Sequence, residues 1–277
     1  MSEDTSAGLL ALGATKSPGL LAPVNAIGRT ALGGVAMLGN CALFAGAAIR
    51  AAFTPPWFPR QIGRQLMQVG FLSLPVVGLT AWFTGAALAL NIYAGGDRFN
   101  AETVMPQIVA LGLTRELGPV LAALMLAGRV AAAMASEIGA MRATEQIDAM
   151  ETLSTDPMRW LIAPRLLAAT LCLPLLTLVV DVIGVSGGML VAMHLLDANP
   201  VVYIRNTLDF LTRWDVESGL IKALVFGFIV GLMGCWHGSR AKGGARGVGQ
   251  AVTQAVVSSA ILILASDYLM TSVFARP

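Results

Sequence analysis

The sequence predicts an all-α protein that crosses a membrane several times. Three observations carry that prediction. Only 12% of the 277 residues are charged, roughly half the share of a soluble domain, and the mean hydropathy is +0.73. Several uncharged runs approach the roughly 20 residues that a hydrocarbon core requires. Between Met105 and Arg165, charges stand at a few fixed places in a long apolar segment, where each is costly and is kept mostly where it does something.

Other classes are disfavoured by composition. A net charge of +2, with no basic cluster interleaved with aromatics, argues against nucleic acid. Cys41, Cys172 and Cys235 are odd in number, lack CxxC spacing and read as small packed hydrophobes. The opening MSEDTSAG is acidic, so no cleavable signal is expected.

The elements follow in order. Residues 1–27, with Gly, Pro, Ser and Ala and little periodicity, read as a flexible tail. Residues 28–60 read as an interfacial or re-entrant segment. Its uncharged part, Thr30–Ile49, is Gly-rich, flanked by Arg29 and Arg50, and followed by the three prolines of FTPPWFPRQIGRQ. Phe71–Tyr93 is a span, and a short loop, AGGDRFNAE, follows. Met105 to about Ala140 is a second span. Leu161–Leu196 is a third, interrupted by Pro174 and by GVSGG at 184–188. A polar connector covers 197–219. Leu220–Trp236 is the fourth span, HGSRAKGGARGVGQ a flexible loop, and Ala251–Phe274 the fifth.

Short-loop cations give the orientation. Arg50, Arg60 and Arg64, then Arg142, Arg159 and Arg165, then Arg240, Lys242 and Arg246 mark three cytoplasmic loops. Residues 94–104 hold only Arg98, and in 197–219 two arginines face four carboxylates. With five spans after residue 64, the C-terminus is external. An interfacial first segment leaves the N-terminus in the cytoplasm.

On the second span, Gly112, Arg115, Arg129, Ala133 and Glu137 fall within about 100° of arc. Small residues mixed with charges suit a face turned to protein rather than lipid. Pro119, four residues after Arg115, takes away the N–H that the Arg115 carbonyl would receive. The resulting kink beside Arg115 and Glu116 reads as the wall of a polar head-group pocket, or as a structural ion pair with another helix. Arg129 and Glu137 read as structural. Next, Thr144–Leu153 fits a short amphipathic helix with Thr144 as N-cap and Ala143, Ile147, Met150 and Ser154 on one side, with Leu153 beside them. Glu145, Gln146, Asp148, Glu151 and Thr152 occupy the rest. Asp156 and Pro157 read as N-cap and first position of the following helix. An acidic helix in the cytoplasmic loop between the second and third spans reads as a coupling helix for a soluble engine.

The run TRELGPVLAALMLAGRVAAAMASEIGAMRATEQIDAME, followed by DPMRWLIAPRLLA, closely resembles the MlaE-type permeases of the Mla/Mce phospholipid ABC transporters. RELGPV, AGR, EIG and EQIDAM stand in order at the family's spacing. More weakly, the likeness extends through LPLLT, SGG and LIKALVFG over about residues 60–274. It implies an N-terminal interfacial helix plus five transmembrane helices, with residues 61–277 as the permease domain in the bacterial cytoplasmic (inner) membrane. A homodimer is implied, each copy docking an ABC ATPase through Glu145, Gln146, Ile147, Asp148, Met150 and Glu151. Also implied are an external MCE-domain lipid-binding protein, STAS-like subunits on the ATPases, and phospholipid held in a dimer-interface cavity that Arg115 and Glu116 line or border.

No motor is legible in the chain. A phosphate-cradling loop needs Gly-Lys-[Ser/Thr], and the three lysines, Lys16, Lys222 and Lys242, follow Thr15, Ile221 and Ala241. No cofactor is therefore expected on this chain, and ATP with Mg²⁺ belongs to the partner ATPase. His194 and His237 lack ligand-spaced partners, so no metal is expected. The rival reading is a self-sufficient proton-coupled carrier or intramembrane enzyme using Asp181, Asp267 or Ser186.

Overall fold

A computed structural model describes residues 22–55, 58–96, 101–195 and 199–274. Most of the expected tail, Arg98 in the first external loop, and Asp197 lie outside the described residues. Every regular element among the described residues is helical. Residues 1–46 and 47–277 form two separate compact units.

The first unit contributes the start of α1 (Ala22–Phe53), whose apolar side chains Leu32, Val35 and Leu38 are exposed. Its Gly34–Phe53 stretch is long and apolar enough to cross a membrane.

Within the second unit, α2 (Pro59–Val69) is amphipathic and starts on Pro59, whose missing N–H costs nothing in a first turn. The expected break therefore ends at Phe58 rather than running through Gln65. A turn at Phe71–Ser73 leads into α3 (Leu74–Gly96). The next membrane-length stretch, Val104–Ala143, is composite. It comprises α4 (Ala101–Gly112), α5 (Gly118–Leu126) and α6 (Ala132–Ala143), joined by π turns at Leu113–Leu117 and Ala127–Ala131. The first π turn sits immediately before Pro119, where a regular ladder cannot continue. Short α7 (Gln146–Thr152) follows.

α8 (Ala163–Leu195) runs unbroken through Pro174 and the glycines, against the expected interruption. Those glycines pack instead. A Cβ on Gly187 would strike the Trp82 carbonyl of α3, and Gly85 of α3 meets the backbone of Gly184. The connector is also more ordered than its polarity indicates. It holds α9 (Pro200–Phe210), whose N-cap Asn199 accepts the Val201 N–H at 2.9 Å. α10 (Arg213–Ser239) begins seven residues before the expected span. α11 (Gly244–Phe274) likewise includes Gly244–Gly249, expected as flexible loop, because that turn packs on α6 through Val248 against Gly139. The turn itself is only Arg240–Gly243, with Gly243 at φ 87°, a conformation open to glycine.

α10 is the axis of this unit. Gly227 and Gly231 press on Ala169 and Leu166 of α8, while Gly234 and Gly238 press on Ala131 and on Ala135 of α6. Small residues four apart let helix backbones approach closely, which is what drives association where lipid is as apolar as leucine. A Cβ on Gly234 would lie 3.0 Å from Ala131 Cα, whereas one on Gly128 meets nothing within 4 Å. Gly234→Leu is expected to destabilise by about 1–3 kcal/mol through overpacking, read as a lowered unfolding midpoint in detergent. Gly128→Ala is expected to leave that midpoint unchanged.

Candidate functional site

Charged residues of three apolar helices, Glu116, Lys222 and Asp267, converge at one end. Lys222 of α10 is 2% exposed, so its ammonium needs partners from the protein. It donates to the Arg115 carbonyl at 3.0 Å and to the Thr271 hydroxyl of α11 at 2.7 Å. Glu116 Oε1 at 2.9 Å and Asp267 Oδ1 at 3.0 Å complete the shell as ion contacts. Thr271 passes the arrangement on, donating to Glu116 at 3.1 Å. The Arg115 carbonyl is the one that Pro119 deprives of its usual N–H, so Lys222 supplies a donor where proline has removed one.

Arg115 points the other way. Its Nε lies 2.8 Å from Asp215 Oδ1, while Asp215 Oδ2 accepts the backbone N–H and hydroxyl of Thr212 at 2.8 and 2.7 Å. A capping box that starts α10 thus also anchors an arginine of the second membrane-length stretch. Trp214 and Phe274, edge to face at 5.8 Å, join the ends of α10 and α11.

Arg115 and Glu116 keep about 40% of their side chains exposed. They line a recess of about 50 Å³ with Ser218, Lys222, Thr271 and Phe274. That volume does not hold a lipid. A larger groove, about 690 Å³, runs along α3 past Pro75, Leu79, Phe83 and Asn91, and reaches the RELG segment only at Leu117. Its walls are apolar apart from Thr80, Thr84 and Asn91. Lys222, Asp215 and Thr271 were not singled out from the sequence. Lys222 had a signal, as the one lysine inside an apolar run.

Toward the opposite end, Glu137 pairs at 2.8 Å with Arg165, which is 95% buried and also donates to the Leu161 carbonyl. Arg129 donates to the Ser73 hydroxyl and to the Gln68 carbonyl, tying α2 to the second stretch. Both are structural contacts.

α7 projects from this end. Thr144 does not cap it. Its hydroxyl donates back to the Ala140 carbonyl at 2.9 Å, closing α6. Glu145 is the residue before α7, at φ 59°, and its carbonyl accepts the Ala149 N–H at 3.0 Å. The left-handed turn rotates the helix, so of the expected inner side only Ile147 is buried and Met150 half-buried. Ala143 and Ser154 are exposed. Glu145, Gln146, Asp148 and Glu151 face solvent, Asp148 pairs with Arg142, and Leu153 is 78% exposed. Asp156 does cap the next helix, accepting the Met158 N–H at 2.9 Å. Arg159 then ties that corner to the Pro55 carbonyl at 3.2 Å.

Ser186 donates to the Val182 carbonyl at 2.7 Å. Asp267 belongs to the Lys222 shell, and Asp181 lies apart from it on α8. No group of three His, Cys, Asp or Glu gathers among the described residues.

Replacing Lys222 by Met would leave Glu116 and Asp267 facing each other without their cation. Breaking a buried pair from one side costs about 3–5 kcal/mol. Lys222→Met is expected to lower the unfolding midpoint sharply, with partial recovery when Asp267→Asn is added. An unchanged midpoint contradicts this assignment.

Residues 62–273 match the family described as Permease MlaE. A probable ABC transporter permease protein of Rickettsia felis is 49% identical over 255 residues, 92% of this chain and 98% of that protein. A probable ABC transporter permease protein of Synechocystis is 40% identical over 207 residues, 75% of this chain and 79% of that one. The intermembrane phospholipid transport system permease protein MlaE of Haemophilus influenzae is 33% identical over 254 residues, 90% and 96% of the two chains. This chain is a multi-pass membrane permease that belongs to the MlaE family.

Proposed function

We propose that this chain is the membrane subunit of an ATP-driven transporter that moves phospholipid or a related lipid between the cytoplasmic membrane and an external MCE-type carrier. The observation that carries the reading is α7, a short helix with exposed carboxylates and an exposed Leu153, set between two membrane-length helices. A solvated connector has no need to present a large apolar side chain beside four polar ones. An interface with a soluble ATPase does.

The arrangement supports transmission of force. Ile147 and the Arg142–Asp148 pair hold α7 against α6. Helix then continues through two π turns to Glu116, about 40 Å away at 1.5 Å per residue. Movement of α7 is thereby delivered to the Lys222 cluster and to Leu117 at the end of the α3 groove. That groove is the lipid path in this account. Its size falls within the roughly 300–1,000 Å³ of ligand sites, and the exposed Leu79 and Phe83 on its walls await a cover. A second copy of the chain, packed on the same face, closes it into a dimer-interface cavity. Arg115 and Glu116 border its end.

Orientation follows from the cations. The short-loop cations Arg142, Arg159, Arg240, Lys242 and Arg246 support a cytoplasmic α7 and N-terminus and an external C-terminus. The later five membrane-length helices cross. ATP and Mg²⁺ act on the partner ATPase, to which a STAS-like subunit attaches. Nucleotide closes the paired ATPases, and the groove alternates between two exposures.

Two results test the reading. Glu145 and Glu151 make no ion pair among the described residues, so reversing both to Lys leaves the fold intact. The double variant is expected to lose the co-purifying ATPase, since like-charge contacts across an interface cost several kcal/mol. Retention of the ATPase contradicts the docking role. Separately, Leu79→Arg, in the groove, is expected to keep the ATPase but to lose co-purified phospholipid.

A further inference from the structure

A second cavity, of about 340 Å³, lies between α8, α9 and the start of α10. Its walls are apolar, with Leu178, Val182, Val185, Ile204, Leu208 and Leu211 among them. Two polar side chains in it are left over by the fold. Asp181 is 9% exposed, and its Oδ1 has no hydrogen-bond partner among the described residues. Thr207, 6% exposed, has a hydroxyl equally without one. On α8, Thr170, Thr177 and Ser186 each donate to the carbonyl one turn back, as Thr114 does in the neighbouring π turn, whereas Tyr203 of α9, outside this cavity, also has a hydroxyl without a partner among the described residues. Buried polar groups in native folds are paired almost without exception. Two such groups lining one cavity point to a ligand's polar group as their partner.

The kind of ligand follows from what surrounds them. No cation among the described residues pairs with Asp181, because the ion pairs of Arg115 and Lys222 go to Asp215, Glu116 and Asp267. A carboxyl without a counter-charge in an apolar wall rejects a phosphate. An ammonium would match the charge but brings more N–H donors than Asp181 can accept, leaving the rest unpaired against hydrocarbon. A hydroxyl fits both orphans, donating to Asp181 Oδ1 and accepting from Thr207 Oγ1. Gly118 makes room for the carboxyl, since a Cβ there would collide with Oδ1. The cavity opens sideways past Val182, Ile204 and Leu208, at 69%, 47% and 68% exposure, which in a membrane face hydrocarbon. We propose that this cavity binds an uncharged, hydroxyl-bearing amphiphile of the diacylglycerol or long-chain alcohol class, at a site separate from the α3 groove.

The test uses the full-length chain in nanodiscs and a diacylglycerol carrying a photoreactive acyl chain. Saturable labelling of α8 and α9 is expected, displaced by dioleoylglycerol and at least tenfold less well by dioleoylphosphatidic acid, which adds only a phosphate. A tenfold loss corresponds to about 1.4 kcal/mol, the scale of a lost hydrogen bond in a dry site. Asp181→Leu is expected to abolish labelling while raising the unfolding midpoint, as removal of a buried orphan should. Thr207→Val weakens labelling several-fold, and Asp181→Asn, which keeps an acceptor, retains it. Absence of saturable labelling, equal competition by phosphatidic acid, or unchanged labelling of Asp181→Leu would overturn the proposal.

Discussion

Pro119 removes an N–H from the second membrane-length stretch, and the Lys222 ammonium replaces it. Much of the permease unit is organised around that exchange. The π turn at Leu113–Leu117 lets the helix pass the proline and turns the Arg115 carbonyl toward α10. Lys222 then draws in Glu116, Asp267 and Thr271. Three helices remote in sequence are pinned at one end by a single cation. In a hydrocarbon setting each of these groups alone would be costly, so they hold one another in place.

Away from that end the helices are held by shape. The glycines of α10 at 227, 231, 234 and 238 let it sit against α8 on one side and α6 on the other. Polar ties there are scattered rather than gathered on one cation: Glu137–Arg165, Arg129 on Ser73 and Gln68, and His237 with Ser258. One end thus has a charged lock and the other a close-packed seam ending in α7. The α3 groove and the α8–α9 cavity lie open on the unit's apolar surface.

Hydropathy made the helical class and the later five membrane-length stretches legible in the sequence, because long apolar runs admit few structures in lipid. Boundaries were less legible. Pro174 and GVSGG read as a break, yet α8 continues, because its small residues are used for contact with α3 rather than for turning. The polar connector hid α9, whose Tyr203 is buried against Val109 and Leu113. The Glu145 turn was also hidden, since a left-handed glutamate leaves no mark in an amphipathic pattern. Arg115 and Glu116 were found, but their partners were not. Lys222 and Asp267 lie 45 residues apart on different helices, and spacing within one helix cannot pair them. The Pro119 effect was the exception, because it is local and covalent.

In the proposed function the chain is a passive gate, powered through α7. Reconstituted transfer of labelled phospholipid from proteoliposomes to an acceptor tests this most directly, with the chain alone and with its co-purified ATPase. Transfer that requires both the ATPase and ATP is the result expected. Equal transfer by the chain alone, with or without nucleotide, would contradict it.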